Sequence, residues 1–163
     1  MTQARQLSLF TAITFWAIIV GGIVYSHIAY FPSYLSHLPE SNNLINGEYG
    51  LKDANFWMFI HPIAILSTII TLTLNWKLKA RRKFIFITLG IYALAIIATA
   101  VYFVPELMAF AGSTNNTTVT PAEWLQRGQT WQHLSWIRGA FMFVGFLILQ
   151  VALTKDNQQN TNS

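Results

Sequence analysis

The sequence lacks cysteine and carries few charges. None of its 163 residues is a cysteine, which excludes disulfides, thiol nucleophiles and iron–sulfur ligation. Only 10% of the residues are charged, whereas soluble domains usually carry about 25%. Hydrophobic residues make up 53% of the chain. This composition indicates an integral membrane protein, and the length suits one compact bundle rather than two domains.

Long segments without charge locate the membrane spans. A helix needs about 20 apolar residues to cross the hydrocarbon core of a bilayer. A fourth apolar stretch, 139–154, is short, because its helix would reach only about 24 Å; its span is therefore extended backwards to include Arg138. The predicted spans cover 9–31, 55–76, 84–104 and 131–153.

These spans predict an all-α fold, an integral membrane antiparallel four-helix bundle formed by residues 1–154. The segment between the second and third spans is short, so these two spans form an antiparallel hairpin. The remaining residues, 155–163, are polar and are predicted to form a disordered tail.

Charge is distributed unevenly between the connecting segments. The segment 77–83 holds five cations, whereas the two other loops hold five of the six acidic residues. The positive-inside rule then predicts that this segment and both termini are cytoplasmic, with the protein in a bacterial inner membrane. The net charge of +4 is read as a topological signal with affinity for anionic lipid, not as a nucleic-acid-binding surface.

Polar residues capable of chemistry fall in the outer half of the predicted bundle. They lie about one turn inside a span or at its outer end. The candidate catalytic residues are His27, His61, Glu106, His133 and Arg138. The candidate contacts for a hydrophobic substrate are Tyr30, Trp57, Tyr102 and Trp131.

Arg138 is the least expected of these residues, because a central Arg costs about 2.5–3.5 kcal/mol even on insertion scales. We predict that it pairs with Glu106 at the outer end of the third span. We also predict a polar pocket, lined by His27, His61, Tyr102, His133 and Arg138.

Metal or haem ligation through His27, His61 and His133 is a further hypothesis, since imidazoles on different helices can converge in a bundle core. No span carries two ligands at i and i+4 or a Glu-x-x-His motif. The sequence therefore requires no cofactor.

Three segments resemble the family of small four-helix membrane proteins that includes the fungal anthrone oxygenases and many bacterial relatives. They are "HIAYFPSYLSHLP", "YFVPELMAF" and "WLQRGQTWQHLSWIRGAFMFVGFLILQVAL", so the resemblance runs through most of the chain. The matching positions are Pro32, Pro105, Trp131, His133 and Arg138.

The resemblance implies oxygenation of an electron-rich aromatic carbon without a tightly held cofactor. His27, His61 or His133 would be the base and Arg138 the cation that stabilises an enolate. A second hypothesis stays open from the residues alone: a non-catalytic membrane accessory or lipid-binding protein whose polar cluster is structural. The expected partners are the lipid bilayer and a small hydrophobic ligand; the sequence specifies no protein partner or oligomeric state.

Overall fold

Four long helices stand side by side in a computed structural model, which describes residues 2–155. Each helix is long and apolar enough to cross a membrane. They are span 1 (Gln3–Leu35), span 2 (Asp53–Leu74), span 3 (Lys79–Ala111) and span 4 (Pro121–Thr154). The described residues contain no strand, so the all-α helical bundle is confirmed. The predicted tail lies outside the described residues beyond Lys155.

The spans form a closed ring in chain order. Span 1 packs most extensively on span 2 and span 3 on span 4, and spans 1 and 4 are also in contact. Thr71 near the end of span 2 donates to the Ser8 carbonyl near the start of span 1, so these spans run antiparallel. An apolar core, which includes Trp16, Ile19 and Leu149, fills the half of the bundle near the basic segment.

Three of the four helices are longer than predicted. Spans 1, 3 and 4 contain 33, 33 and 34 residues, about 50 Å at the rise of an α-helix. This length exceeds the hydrocarbon core of about 30 Å. The ends opposite the basic segment, called the outer ends here, pack on one another and form the outer half of the bundle.

Span 4 starts well before Trp131, so that predicted boundary is wrong. Thr120 caps the helix: its side chain accepts from the Glu123 backbone N–H, and the Glu123 carboxylate accepts from the Thr120 N–H at 2.8 Å. Pro121 occupies the first helical position, where its missing N–H costs nothing. The hydrophobicity pattern does not mark the start of this helix, although the "TPAE" capping signal is present in the sequence.

Spans 1 and 3 each widen into a π-helical turn in the outer half, at Ser26–Tyr30 and Thr99–Phe103. A proline follows each turn closely: Pro32 in span 1 and Pro105 in span 3. A proline ring collides with the carbonyl four residues earlier, and a wider turn makes room for it. Such turns are frequent at functional sites.

The outer ends pack around an aromatic cluster, which we call the outer aromatic cluster. Its buried members are Tyr30, Phe31, Tyr34, Leu35, Leu38, Phe103, Phe110, Trp124 and Trp131. Buried Asn42 joins the two outer loops, because its amide donates to the Ser113 hydroxyl at 2.9 Å and its carbonyl accepts from the Tyr34 hydroxyl at 3.1 Å. Aromatic packing and the hydrogen bonds of Asn42 together hold the outer half in place.

Candidate functional site

Arg138 lies inside span 4, and its guanidinium reaches span 3. Nη1 donates to the Thr99 hydroxyl at 2.6 Å, and Nη2 donates to the Ser135 hydroxyl at 3.0 Å. The guanidinium carbon lies 4.1 Å from the centre of the Phe103 ring. All of these neighbours are neutral. Within residues 2–155, no carboxylate forms an ion pair with Arg138.

Glu106 binds Arg127, so the predicted pairing of Glu106 with Arg138 is wrong. Arg127 Nη2 lies 2.9 Å from both carboxylate oxygens of Glu106, and Nε lies 3.1 Å from one of them. The Arg127 guanidinium also covers the Trp124 ring at 4.6 Å. The early start of span 4 is the reason, because it places Arg127 rather than Arg138 level with Glu106.

We expect Glu106→Gln and Arg127→Gln to be coupled by about 0.5–1 kcal/mol, as for a partly exposed charge pair with good geometry. Each single variant should lower the thermal stability of the protein in detergent, and the double variant should recover part of the loss. The matched control combines Glu106→Gln with Arg138→Gln, for which additive effects are expected. Additive effects for Glu106 and Arg127 would contradict this ion pair.

His27 lies in the π-helical turn of span 1 and is only 3% exposed. Its Nδ1 lies 2.7 Å from the Ile23 carbonyl oxygen. A carbonyl can only accept, so Nδ1 carries the proton and Nε2 of the neutral ring keeps a lone pair. Nε2 is buried and has no hydrogen-bond partner in the described part of the chain. This nitrogen therefore keeps an unused acceptor site.

His61 of span 2 is half-buried, and its partner is a residue that the sequence analysis missed. Its Nδ1 is hydrogen-bonded to the hydroxyl of Tyr92, a buried residue of span 3. Trp57 stacks on the His61 ring at 5.5 Å and donates to the Asp53 carboxylate at 2.7 Å. Tyr92 could have been identified from the sequence, because a hydroxyl in the middle of an apolar span needs a hydrogen-bond partner.

Contacts between spans bring His27, His61 and Arg138 into one half of the bundle: the His27 ring packs 4.7 Å from Trp136 of span 4, and His61 is bonded to Tyr92 of span 3, the span that also carries Thr99, the partner of Arg138. We call this region the polar site; it draws on all four spans. Its members are His27, His61, Tyr92, Thr99, Ser135 and Arg138. Three of the five candidate catalytic residues therefore lie in it.

The other candidates lie elsewhere, so the predicted composition of the pocket is wrong in part. His133 is exposed, because its neighbours Trp131 and Ser135 take the inward-facing positions of span 4. Tyr102 and Glu106 line a separate outer groove of about 230 Å³ with Arg127. Whether a side chain faces the bundle depends on the rotation of its helix about the helix axis. The depth of a residue in the membrane does not reveal that rotation.

The aromatic candidates for substrate contact mostly form protein core. Trp131 is 2% exposed and donates to the Phe103 carbonyl at 3.0 Å. Tyr30 is buried and stacks on Tyr34 at 5.9 Å. Trp57 and Tyr102 are half-buried, so of the four candidates these two keep more accessible surface.

An apolar groove of about 280 Å³ lies between spans 1 and 4, next to His27. Ile23, whose carbonyl binds His27, lines it, as does Trp136, whose ring lies 4.7 Å from the His27 ring. Gly139 brings the spans together, since a Cβ there would lie 2.8 Å from an Ile23 methyl carbon. The lining is completed by Val20, Val24, Ala140 and Phe143.

The hypothesis of a metal or haem through three histidines has a simple geometric requirement: the ligands must meet. Within the described residues, no three His, Asp or Glu side chains come together in a way that could hold a metal ion. His133 is exposed on span 4, whereas His27 is buried in span 1. The described chain thus does not assemble that ligand set.

Comparison with known proteins finds no family model, no curated protein and no solved structure that matches the chain. The likeness to the anthrone oxygenase family therefore stays an expectation drawn from three sequence segments. Any function has to be argued from the polar site, whose outstanding features are an unpartnered imidazole nitrogen and a cation among neutral groups.

Proposed function

We propose that the protein is a membrane enzyme that removes a proton from a small hydrophobic molecule in the polar site. The observation that carries the proposal is the state of His27, whose Nε2 is buried, unprotonated and without a hydrogen-bond partner in the described structure. A base in this state, packed against Trp136 on the span that carries the Arg138 cation, suits the formation of an enolate.

Arg138 supplies the positive charge that such an enolate requires. Its neutral partners, Thr99 and Ser135, hold the guanidinium in place without neutralising it. In a low-dielectric interior a fixed cation stabilises a developing negative charge more than it would in water. The negative charge missing from the described site would thus come from the reacting molecule.

The apolar groove supports a hydrophobic substrate. An apolar cavity of about 150 Å³ holds a benzene molecule, so a groove of about 280 Å³ is large enough for a small fused-ring system. Its lining of Val, Ile, Phe, Trp, Gly and Ala offers no charge to compete with the reacting group. A substrate dissolved in the bilayer would enter this groove between spans 1 and 4 and would reach His27 past Trp136, since no residue of the polar site lines the groove itself.

Oxygenation is the reaction that we propose to follow proton removal. The carbanion forms a C–O bond with O2 to give a peroxide anion, which takes a proton to become a hydroperoxide, and loss of water leaves a carbonyl group. A CH2 group and one O2 thus become a C=O group and one water, with His27 returning the proton. This sequence needs no bound cofactor and agrees with what the resemblance implies.

We further propose that the polar site lies in the outer half of a bacterial inner-membrane protein with both termini cytoplasmic. The charge distribution supports this orientation, because seven of the ten Lys and Arg residues lie at the end formed by the termini and the turn between spans 2 and 3.

We expect His27→Phe to lower the rate of proton abstraction by about 10²–10⁴-fold, the usual contribution of a positioned base. The measurement is deuterium exchange and O2 uptake by anthrone and related hydrophobic C–H acids, with the purified protein in detergent. His133→Phe is the matched control: its imidazole is exposed and should be dispensable.

Three results would reject parts of the proposal. Exchange no faster than with heat-denatured protein would contradict an enzyme acting on these compounds and favour the non-catalytic accessory or lipid-binding role. Exchange without O2 uptake would keep the acid–base role of His27 and reject oxygenation. A loss in His133→Phe as large as that in His27→Phe would move the base to His133.

A further inference from the structure

The basic end of the bundle carries more cations than its folding uses. Within the described residues this end has no carboxylate, and its seven cations are Arg5, Lys77, Lys79, Arg81, Arg82, Lys83 and Lys155. One of them is structural: Arg81 is buried and donates to the Lys155 carbonyl at 2.8 Å. Lys77, Lys79 and Lys83 are exposed.

Two arginines from different spans converge on the end of span 2. Arg5 Nε donates to the Leu74 carbonyl at 3.0 Å, and Arg82 Nη1 donates to the Trp76 carbonyl at 3.1 Å. Leu74 is the last residue of span 2, where helix carbonyls carry partial negative charge and attract cations, and Trp76 lies in the turn that follows. A guanidinium has five N–H donors, so each of these bonds leaves most donors for a ligand.

Trp76 lies beside Arg82 at the edge of the bundle. Its side chain is 50% exposed, the Arg82 guanidinium lies 5.0 Å from its ring centre, and exposed Phe86 packs against it at 5.7 Å. Trp is typical of the level at which lipid headgroups meet hydrocarbon. We call Arg5, Trp76, Lys77 and Arg82 the Trp76 patch.

We infer that the Trp76 patch binds the phosphate of an anionic phospholipid. Guanidinium groups bind phosphate oxygens through paired hydrogen bonds, and Lys77 adds a further charge. The exposed apolar side chains of Leu74 and Phe86 lie beside the patch and offer a surface for acyl chains. This apolar neighbourhood favours a phospholipid over a soluble phosphate.

The test is native mass spectrometry of the full chain released from nanodiscs that contain equal amounts of phosphatidylglycerol and phosphatidylcholine. Wild type should retain phosphatidylglycerol several-fold over phosphatidylcholine. Arg82→Gln and Lys77→Gln should each lower this preference about fivefold, equivalent to about 1 kcal/mol per basic residue. Lys52→Gln, which removes an exposed cation at the opposite end, is the matched control and should change nothing.

Equal retention of the two lipids by wild type would overturn the inference. So would a preference that survives both Arg82→Gln and Lys77→Gln, or one that Lys52→Gln lowers equally, since the effect would then reflect net charge. Lys77 makes no side-chain hydrogen bond within the described structure, so its variant tests the patch even where loss of Arg82 disturbs folding. The result does not depend on the proposed enzymatic activity.

Discussion

Replacing Arg138 with Met is expected to stabilise the folded protein while abolishing proton abstraction. Arg138 is half-buried, and its described partners, Thr99, Ser135 and Phe103, are all neutral. Apolar replacement of buried ionic groups is often neutral or stabilising by about 1–4 kcal/mol. We expect the free energy of unfolding to rise by about 1–2 kcal/mol, because the lost hydrogen bonds offset part of the gain.

The activity of Arg138→Met should fall by more than about 10²-fold, since the enolate loses its cation. Thermal unfolding in detergent and the deuterium-exchange assay measure the two effects on one preparation. Arg127→Met is the matched control on the same span: it leaves Glu106 unpaired, so its stability should fall while exchange is unchanged. A loss of stability in Arg138→Met would instead indicate that Arg138 is structural.

Replacing Trp131 with Ala is expected to lower the free energy of unfolding by about 3–5 kcal/mol, the cost of removing a large buried aromatic side chain. Its ring contacts Phe31 at 4.5 Å, Phe103 at 5.7 Å and Phe110 at 6.5 Å. These contacts join spans 1, 3 and 4 in the outer aromatic cluster, so the loss should weaken the half of the bundle that holds the polar site.

Trp131→Phe should cost less, about 1–2 kcal/mol, because it keeps an aromatic ring but loses the hydrogen bond to the Phe103 carbonyl. Trp76→Ala is the control, since this indole is half exposed and should contribute less than 1 kcal/mol to stability, roughly the scale of a surface change. Unfolding in detergent reports all three. If Trp131→Ala left the stability unchanged but impaired substrate binding, the result would support the prediction that Trp131 contacts the substrate.

The sequence anticipated the four spans because each must satisfy the same requirement by itself, an uncharged length that matches the bilayer. It misjudged their ends because helices continue past the hydrocarbon wherever they can pack on one another. Tyr34 and Phe110 show this: both lie outside the predicted spans and are fully buried in the outer aromatic cluster. Only the "TPAE" cap of span 4 could have been read from local sequence.

The sequence predicted the depth of the site residues along their helices, but not the direction in which each side chain points. His27, His61 and Arg138 were predicted at similar depths, and in the structure each makes a contact to a neighbouring span in that half of the bundle. His133 lies on the same span as Arg138 but is exposed, since the two point to different sides of the helix. Tyr92 and Thr99 became site residues through contacts between spans, which no pattern within span 3 specifies.

The sequence by itself determined that the chain can cross a membrane four times and that its four histidines collect in one half, because hydrophobic length and charge act on each span separately. Only the tertiary structure decided that Glu106 binds Arg127, that Arg138 rests on neutral hydroxyls, and that Nε2 of His27 is left without a partner among the described residues. The physical reason is that these pairings depend on the offset and rotation of packed helices. Packing between spans and the two π-helical turns set both.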